Sequence, residues 1–372
     1  MRVETLPLSE DGSVHLTVYL QEPSRELPLW RTRPAVLVLP GGGYQMTSDR
    51  EAEPVALSFL AEGFHAFVLR YSVGPRATYP NPLCDLSRAI KLVRDNAAAW
   101  GVRPDRIAVC GFSAGGHLAA ALGTLWNDPG VQAAAGVAGD DNQPNALLLG
   151  YPVISAVEDS RQVWFTNQVS DPADTSLIAK LSGELNVGPH TPPTFMFHTY
   201  QDNVVPVENT LLFARALALA DVPFEMHIFQ RGGHGLAMAK RTTASSKRDD
   251  DAAGVEHWFA LATAWLWRLF DPPSGTSAGS RRAHFGDLSH GNADRYAETG
   301  RFTLDTCLGD LLDDARSRAV IQRYLPAMVD AATGPGRDYA LRTIMQYVDD
   351  PPDDATAQSL ADELAGISNA AH

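Results

Sequence analysis

The sequence predicts an α/β protein, a mostly parallel sheet with helices on both faces, followed by a small C-terminal helical domain. Three observations carry this. From Pro34 to about Phe270, short β-branched or leucine-rich runs alternate with longer stretches of helical spacing. Runs such as AVLVL at 35–39 and NALLL at 145–149 are nearly continuously apolar, as strands covered on both faces require. Beyond a segment crowded with Pro, Gly and Ser, the composition changes.

Taken in order, Val14–Leu20 alternates as an antiparallel strand leading into the sheet would. Buried strands are predicted at Ala35–Leu39, His65–Tyr71, Arg106–Phe112, Ala146–Tyr151, Thr194–Tyr200 and Phe224–Phe229. Leu86, Ala89, Ile90, Val93, Ala97 and Trp100 share one helical face, and Gly101 with Pro104 supplies the stop. A second helix is expected from Pro206 to Ala220, with proline in its first turn. Residues 154–190, rich in Ser, Asp and Asn, read as an insertion over the sheet's carboxyl edge, and 239–252 as a polar loop before a helix with Trp258, Trp265 and Trp267.

The division expected is a catalytic domain at 1–270, a linker at 271–283 and a helical domain at 284–372. From residue 271 onward there are nine arginines, no lysine and sixteen acidic residues, which is half of the chain's net charge. Helical spacing persists there in Leu308, Leu311 and Leu312, in Val320 and Tyr324, in Leu341 and Ile344, and in Leu360, Leu364 and Ile367. These stripes must bury among themselves or against a partner, and self-association through 284–372 is the economical expectation.

With 372 residues and 45% hydrophobic content the chain can bury a large core, which excludes a disordered or fibrous protein. A net charge of −14 repels a nucleic-acid backbone, so no nucleic-acid partner is expected. Cys84, Cys110 and Cys307 are odd in number and widely spaced, which suits a reducing compartment. The first residues lack a signal-peptide pattern and no apolar run approaches the roughly 20 residues that span a bilayer, so a soluble, cytoplasmic protein without a membrane partner is expected.

The most informative segment is RIAVCGFSAGGHLAAAL, where a strand, the turn Gly111-Phe112-Ser113-Ala114-Gly115 and a helix follow one another. So sharp a turn needs glycine at 111 and 115, and it holds Ser113 at its tip as a nucleophile, with helix N–H groups behind it. An ordinary Gly-rich strand-helix turn is the plainer alternative. Upstream, Leu39-Pro40-Gly41-Gly42-Gly43-Tyr44 follows the first buried strand, and the N–H groups of Gly42, Gly43 and Ala114 are the expected oxyanion donors. A flexible loop or phosphate turn competes there, but neither GxGxxG nor a GKS is present.

A serine needs a base, and the base needs an acid to fix its tautomer. TFMFHTYQDNVVP places Asp202 after a late strand and FEMHIFQRGGHG places His234 after the last. His117, one turn beyond Ser113, is expected to line the pocket or pack, and His198 and His227 to be structural. Asp140 and Asp141 lie in a polar loop, and Glu208 in a helical first turn, where acids are favoured anyway. Tyr44, His117 and Trp164 are candidate substrate contacts, and no metal-binding cluster or cofactor motif is present.

These motifs resemble the acetyl esterase and xylan-esterase-like branch of the α/β-hydrolases, related to the hormone-sensitive-lipase-like enzymes. The likeness covers about residues 34–270, through LPGGGYQMTSDREAEPVA, YPNPLCDLSRAIKLVRDNAAAWGVRPDRIAVCGFSAGGHLAA, TPPTFMFHTYQDNVVPVENTLLFARAL and PFEMHIFQRGGHGLAMA. It implies a cofactor-free carboxylesterase acting on short acyl esters, often acetyl groups on carbohydrates or alcohols. One departure is Pro40, where many lipase-like relatives carry His before the glycine triplet. A peptidase or amidase of the same fold, and an inactive scaffold whose helical tail binds a partner, are the alternatives.

Overall fold

In the computed structural model the run Arg33–Leu39 forms a strand whose side chains divide by parity. Ala35, Leu37 and Leu39 enter one hydrophobic core, and Val36 and Val38 enter another. A strand apolar on both faces must be covered on both, and the strands at Arg33–Leu39, Ala146–Gly150 and Thr194–Thr199, buried at every position, meet that demand. The structure describes residues 1–27, 30–157, 168, 174–244, 252, 254–271, 302–304, 306, 308–330, 341–345 and 352–367. Trp164, residues 158–167 and 169–173 of the insertion expected at 154–190, and all but Asp271 of the linker lie outside them.

The strands are β1 (Arg2–Pro7), β2 (His15–Leu20), β3 (Arg33–Leu39), β4 (His65–Arg70), β5 (Val102–Phe112), β6 (Ala146–Gly150), β7 (Thr194–Thr199) and β8 (Phe224–Phe229). They form one 8-stranded sheet in the order β1-β2-β4-β3-β5-β6-β7-β8. β2 runs antiparallel to β1 and β4, and every pairing from β4 to β8 is parallel. This is the α/β-hydrolase arrangement. The six strands expected from the sequence are present, but β5 starts at Val102 and not at Arg106, and β8, at the edge of the sheet, is half-exposed and not buried.

Helices α1 (Glu53–Ala61), α2 (Asn81–Asp95), α3 (Ala97–Trp100), α4 (Ala114–Leu125), α5 (Pro129–Ala135), α6 (Thr175–Leu181), α7 (Glu208–Leu219) and α8 (Trp258–Phe270) cover the faces. Leu86 and Ile90 of α2, Leu118 and Leu122 of α4, and Phe213 and Leu217 of α7 fill the first core. Val55 and Phe59 of α1, with Trp258 and Leu266 of α8, fill the second. The helix expected through Trp100 is broken at Asn96, whose side-chain amide donates to the Leu92 carbonyl at 2.8 Å. Gly101 ends it in the left-handed region at φ 65°, where a Cβ would lie 2.9 Å from the Arg31 carbonyl.

The chain splits into two compact units, Met1–Ser277 and Ala278–His372. In the second, described helices at Leu308–Asp313, Ala315–Tyr324, Pro326–Asp330, Leu341–Ile344 and Asp354–Ala365 bury Leu311, Ile321, Leu341, Leu360 and Leu364 in a core of their own. The leucine stripes of the sequence thus meet one another within the unit. Among the described residues no helix is long and apolar enough to cross a membrane.

Two buried histidines give the fold a pH dependence. His65, at the start of β4, is 2% exposed, and burial together with the Arg33 guanidinium pulls its imidazole down from 6.5 to about 4. Burial does the same to His117, also to about 4. Below the unfolded value the denatured chain binds protons that the native state refuses until about pH 4, so stability is lost as pH falls through that window. Each group contributes at most about 3 kcal/mol. Denaturant midpoints should fall between pH 7 and 4, and less steeply for His65→Gln; equal slopes would remove His65 as a cause.

Candidate active site

β5 passes into α4 through one residue. Ser113 carries φ 52° and ψ −119°, a strained conformation for a side chain with a Cβ. Glycine is what lets the chain turn so tightly. A Cβ on Gly111 would lie 2.2 Å from the Gly115 carbonyl oxygen, and one on Gly115 would lie 2.2 Å from that of Leu39 and 2.6 Å from that of Pro40. Hydrogen bonds hold the bend: Ser113 N–H donates to the Gly150 carbonyl at 3.0 Å, and the Ser113 carbonyl accepts from the N–H of His117 at 3.0 Å and of Val153 at 3.2 Å.

The structure brings Ser113, His234 and Asp202 together in one line. His234 Nε2 is 2.8 Å from Ser113 Oγ, and its Nδ1 is 2.7 Å from Asp202 Oδ2. The carboxylate can only accept, so Nδ1 carries the proton and Nε2 is left to accept the serine hydroxyl. Asp202 Oδ1 accepts the N–H groups of Val204 and Val205, each at 2.9 Å. Burial alone would raise its pKa, but hydrogen bonds from His198 and His234 prevail and hold the carboxyl well below the usual range.

His198 proves to be part of this arrangement. Its side chain is fully buried, with Nε2 3.0 Å from the Val205 carbonyl and 3.4 Å from Asp202 Oδ2. A carbonyl cannot donate, so the proton sits on Nε2, and Nδ1 accepts the Thr210 hydroxyl at 2.7 Å. Two imidazoles thus face one carboxylate. The other acids considered lie elsewhere: Glu208 is exposed on the first turn of α7, and Asp140 is exposed in its loop. His227 pairs with Glu225.

The glycine triplet runs against Ser113, since a Cβ on Gly41 would lie 2.8 Å from Ser113 Cβ. Gly42 sits at φ 128°, and its carbonyl accepts from Gln45 and Met46 at 3.0 and 3.3 Å, which turns the peptide and leaves its N–H outside that turn. Among the described residues no acceptor takes the N–H of Gly42, Gly43 or Ala114. Of these residues Ala114 follows Ser113 directly, and the triplet reaches Ser113 through Gly41.

Tyr44 and His117 lie in the interior, which for His117 is the packing role, one of the two expected. They are 2% and 1% exposed, and the Tyr44 hydroxyl meets His117 Nδ1 at 2.7 Å while His117 Nε2 donates to the Leu181 carbonyl at 2.8 Å. Both polar ends are consumed inside the protein, so these residues brace the turn and do not offer themselves to a ligand. Trp164 falls outside the described residues. Two residues not foreseen are Glu51 and Tyr151, buried beside the triplet and the His234 loop.

Comparison with known proteins places the chain among esterases and carbohydrate-active enzymes it resembles. The BD-FAE family model matches residues 27–217. The chain is 36% identical over 217 residues to endo-1,4-beta-xylanase B of Butyrivibrio fibrisolvens, covering 56% of this chain and 33% of that protein. It is 31% identical over 238 residues to acetylxylan esterase of Xylanibacter ruminicola, covering 62% of this chain and 45% of that one. The chain therefore spans less than half of the length of these two curated relatives. The crystal structure of the acetyl ester-xyloside bifunctional hydrolase from Caldicellulosiruptor lactoaceticus is similar at 36% identity, with a TM-score of 0.61, covering 72% of this chain and 97% of that one.

The turn itself can be tested by contrast. Gly111→Ala drives a methyl into the Gly115 carbonyl and should destabilise the protein by about 1–3 kcal/mol or more. Gly233→Ala, one residue before His234, meets nothing within 4 Å and should leave the melting temperature unchanged. Equal melting temperatures for the two variants would contradict the steric account.

Proposed function

Because the chain belongs to the BD-FAE family, we propose that it is a serine carboxylesterase that hydrolyses short acyl esters, acetyl esters above all, including those of carbohydrates. The observation that carries this reading is the unbroken hydrogen-bonded line from Ser113 through His234 to Asp202, set on a strand-helix turn. The acetyl preference is supported by the acetylxylan esterase and the acetyl ester-xyloside hydrolase to which the chain is similar.

In this mechanism Ser113 Oγ attacks the ester carbonyl carbon as its proton passes to His234 Nε2. The imidazolium that results is stabilised by the Asp202 carboxylate, which keeps its charge because its pKa is depressed. The carbonyl oxygen becomes an oxyanion and takes hydrogen bonds from the N–H groups of Gly42, Gly43 and Ala114. Collapse breaks the bond to the leaving alkoxide, which receives the proton from Nε2. Water then attacks the acyl-serine, giving its proton to Nε2, and the carboxylic acid departs as Ser113 regains its own. The residues at hand supply every proton transfer, so the cycle needs no cofactor.

A fluorophosphonate probe should label the wild type and not Ser113→Ala, and that variant should lose at least ~10³ in kcat while staying folded. Near-normal turnover by pure Ser113→Ala would end this assignment. Asp202→Asn should lower kcat by up to about 10⁴ with KM little altered, since the amide favours the wrong histidine tautomer. Among aryl esters from acetyl to decanoyl, kcat/KM should fall beyond about butyrate; a higher value on decanoyl would reject the short-chain preference.

A further inference from the structure

Glu51 is 3% exposed, and among the described residues no cation pairs with it. An acid in that setting is costly unless each oxygen finds a donor. Here Oε2 accepts the Gly41 N–H at 2.7 Å and Oε1 accepts the Tyr151 hydroxyl at 2.7 Å. The Tyr151 oxygen in turn accepts the Ala237 N–H at 2.8 Å. Gly41 opens the glycine triplet, and Ala237 lies three residues beyond His234 in the same loop. The Tyr151 ring stands edge-on to the His234 imidazole, with centroids 5.0 Å apart and planes at 68°. Two side chains from separate parts of the chain therefore fasten the donor loop to the loop of the base.

We infer that Glu51 and Tyr151 are positioning residues that couple the oxyanion donors to the general base as one hydrogen-bonded unit, neither of them touching substrate. The inference rests on the serine-esterase reading above. Its physical basis is the placement of donors. The Gly41 peptide is fixed by Oε2, and the orientation of that peptide sets where the Gly42 and Gly43 N–H groups point. The Ala237 peptide is fixed by Tyr151, and with it the span that carries His234. The indole of Trp258 donates to the Ala237 carbonyl at 3.0 Å, so both peptide units flanking Ala237 are held. A buried apolar pair could fill the same space at less desolvation cost, but it could not hold two backbone donors in register.

Glu51→Gln keeps the shape and breaks the coupling. The amide oxygen must serve Gly41, which turns the NH₂ toward Tyr151, where Ala237 already donates, and the hydroxyl proton loses its acceptor. A displacement well under 1 Å follows, and kcat should fall about 10- to 100-fold with KM changed less than about threefold. Affinity for an alkylboronic acid, which forms a tetrahedral adduct on the serine, should fall by the same factor as kcat. Tyr151→Phe should cost about tenfold in kcat, and the double variant should be no worse than the weaker single one. It is the parallel loss in boronate affinity, at unchanged KM, that a merely structural role would not produce. If Glu51→Gln fails to fold, Tyr151→Phe alone carries the kcat and boronate comparison. A labelled, active wild type whose folded variants keep kcat and boronate affinity within about twofold, or a double variant whose losses multiply, would overturn the coupling. A wild type that resists the fluorophosphonate probe would instead overturn the esterase reading itself.

Discussion

The carboxyl edge of the sheet is organised by one close approach, the backbone of Gly115 against the carbonyls of Leu39 and Pro40. Because no side chain stands between them, the end of β3 and the start of α4 lie in direct contact, and Gly41 comes to rest beside Ser113. The strained backbone of Ser113 follows from that contact. So does the position of Gly41, which opens the triplet. Strain of this kind persists only where surrounding structure over-determines it, and here the Gly150, His117 and Val153 hydrogen bonds do so.

Much of this was legible in the sequence because it depends on short-range rules. Glycines at 111 and 115 announce the turn, and near-continuous apolar runs announce strands covered twice. Ser113, His234 and Asp202 could be placed because each follows a strand in the expected order. What escaped did so for identifiable reasons. β1 alternates between exposed and half-exposed positions, so its residues Arg2–Pro7 offer no apolar face to read. α1 is mostly apolar, Glu53 and Ser58 apart, with too little contrast between its faces to show a period. Tyr44 and His117 carry groups that suit a pocket wall, and no pattern in sequence tells such groups apart from a pair that satisfies itself.

Glu51 was the least visible of all. In DREAEP it is one acid among several near the start of a helix, where acids are common. Its distinction is tertiary: burial, and two partners 10 and 100 residues away in sequence. His198 is a milder case. Its place within β7 suggested a structural role, and its partners give that role content, since Thr210 fixes the ring that faces Asp202. Buried polar groups of this kind add little to net stability when fully paired, but they specify one arrangement over its neighbours.

The strand order distributes these groups unevenly. β5, which ends one residue before Ser113, lies between β3 and β6, and Ile107–Phe112 is wholly buried. The loop of His234 follows β8, which closes the sheet on that side and is half-exposed along its length. Sheets open from their margins, where the free energy of local unfolding is smallest. A transient release of β8 would carry the base away while the serine stayed seated on its turn. Heat or denaturant would then silence the chain before unfolding it, through a disarmed state in which the nucleophile keeps its geometry and lacks a proton acceptor, and from which re-pairing of a single strand restores the whole.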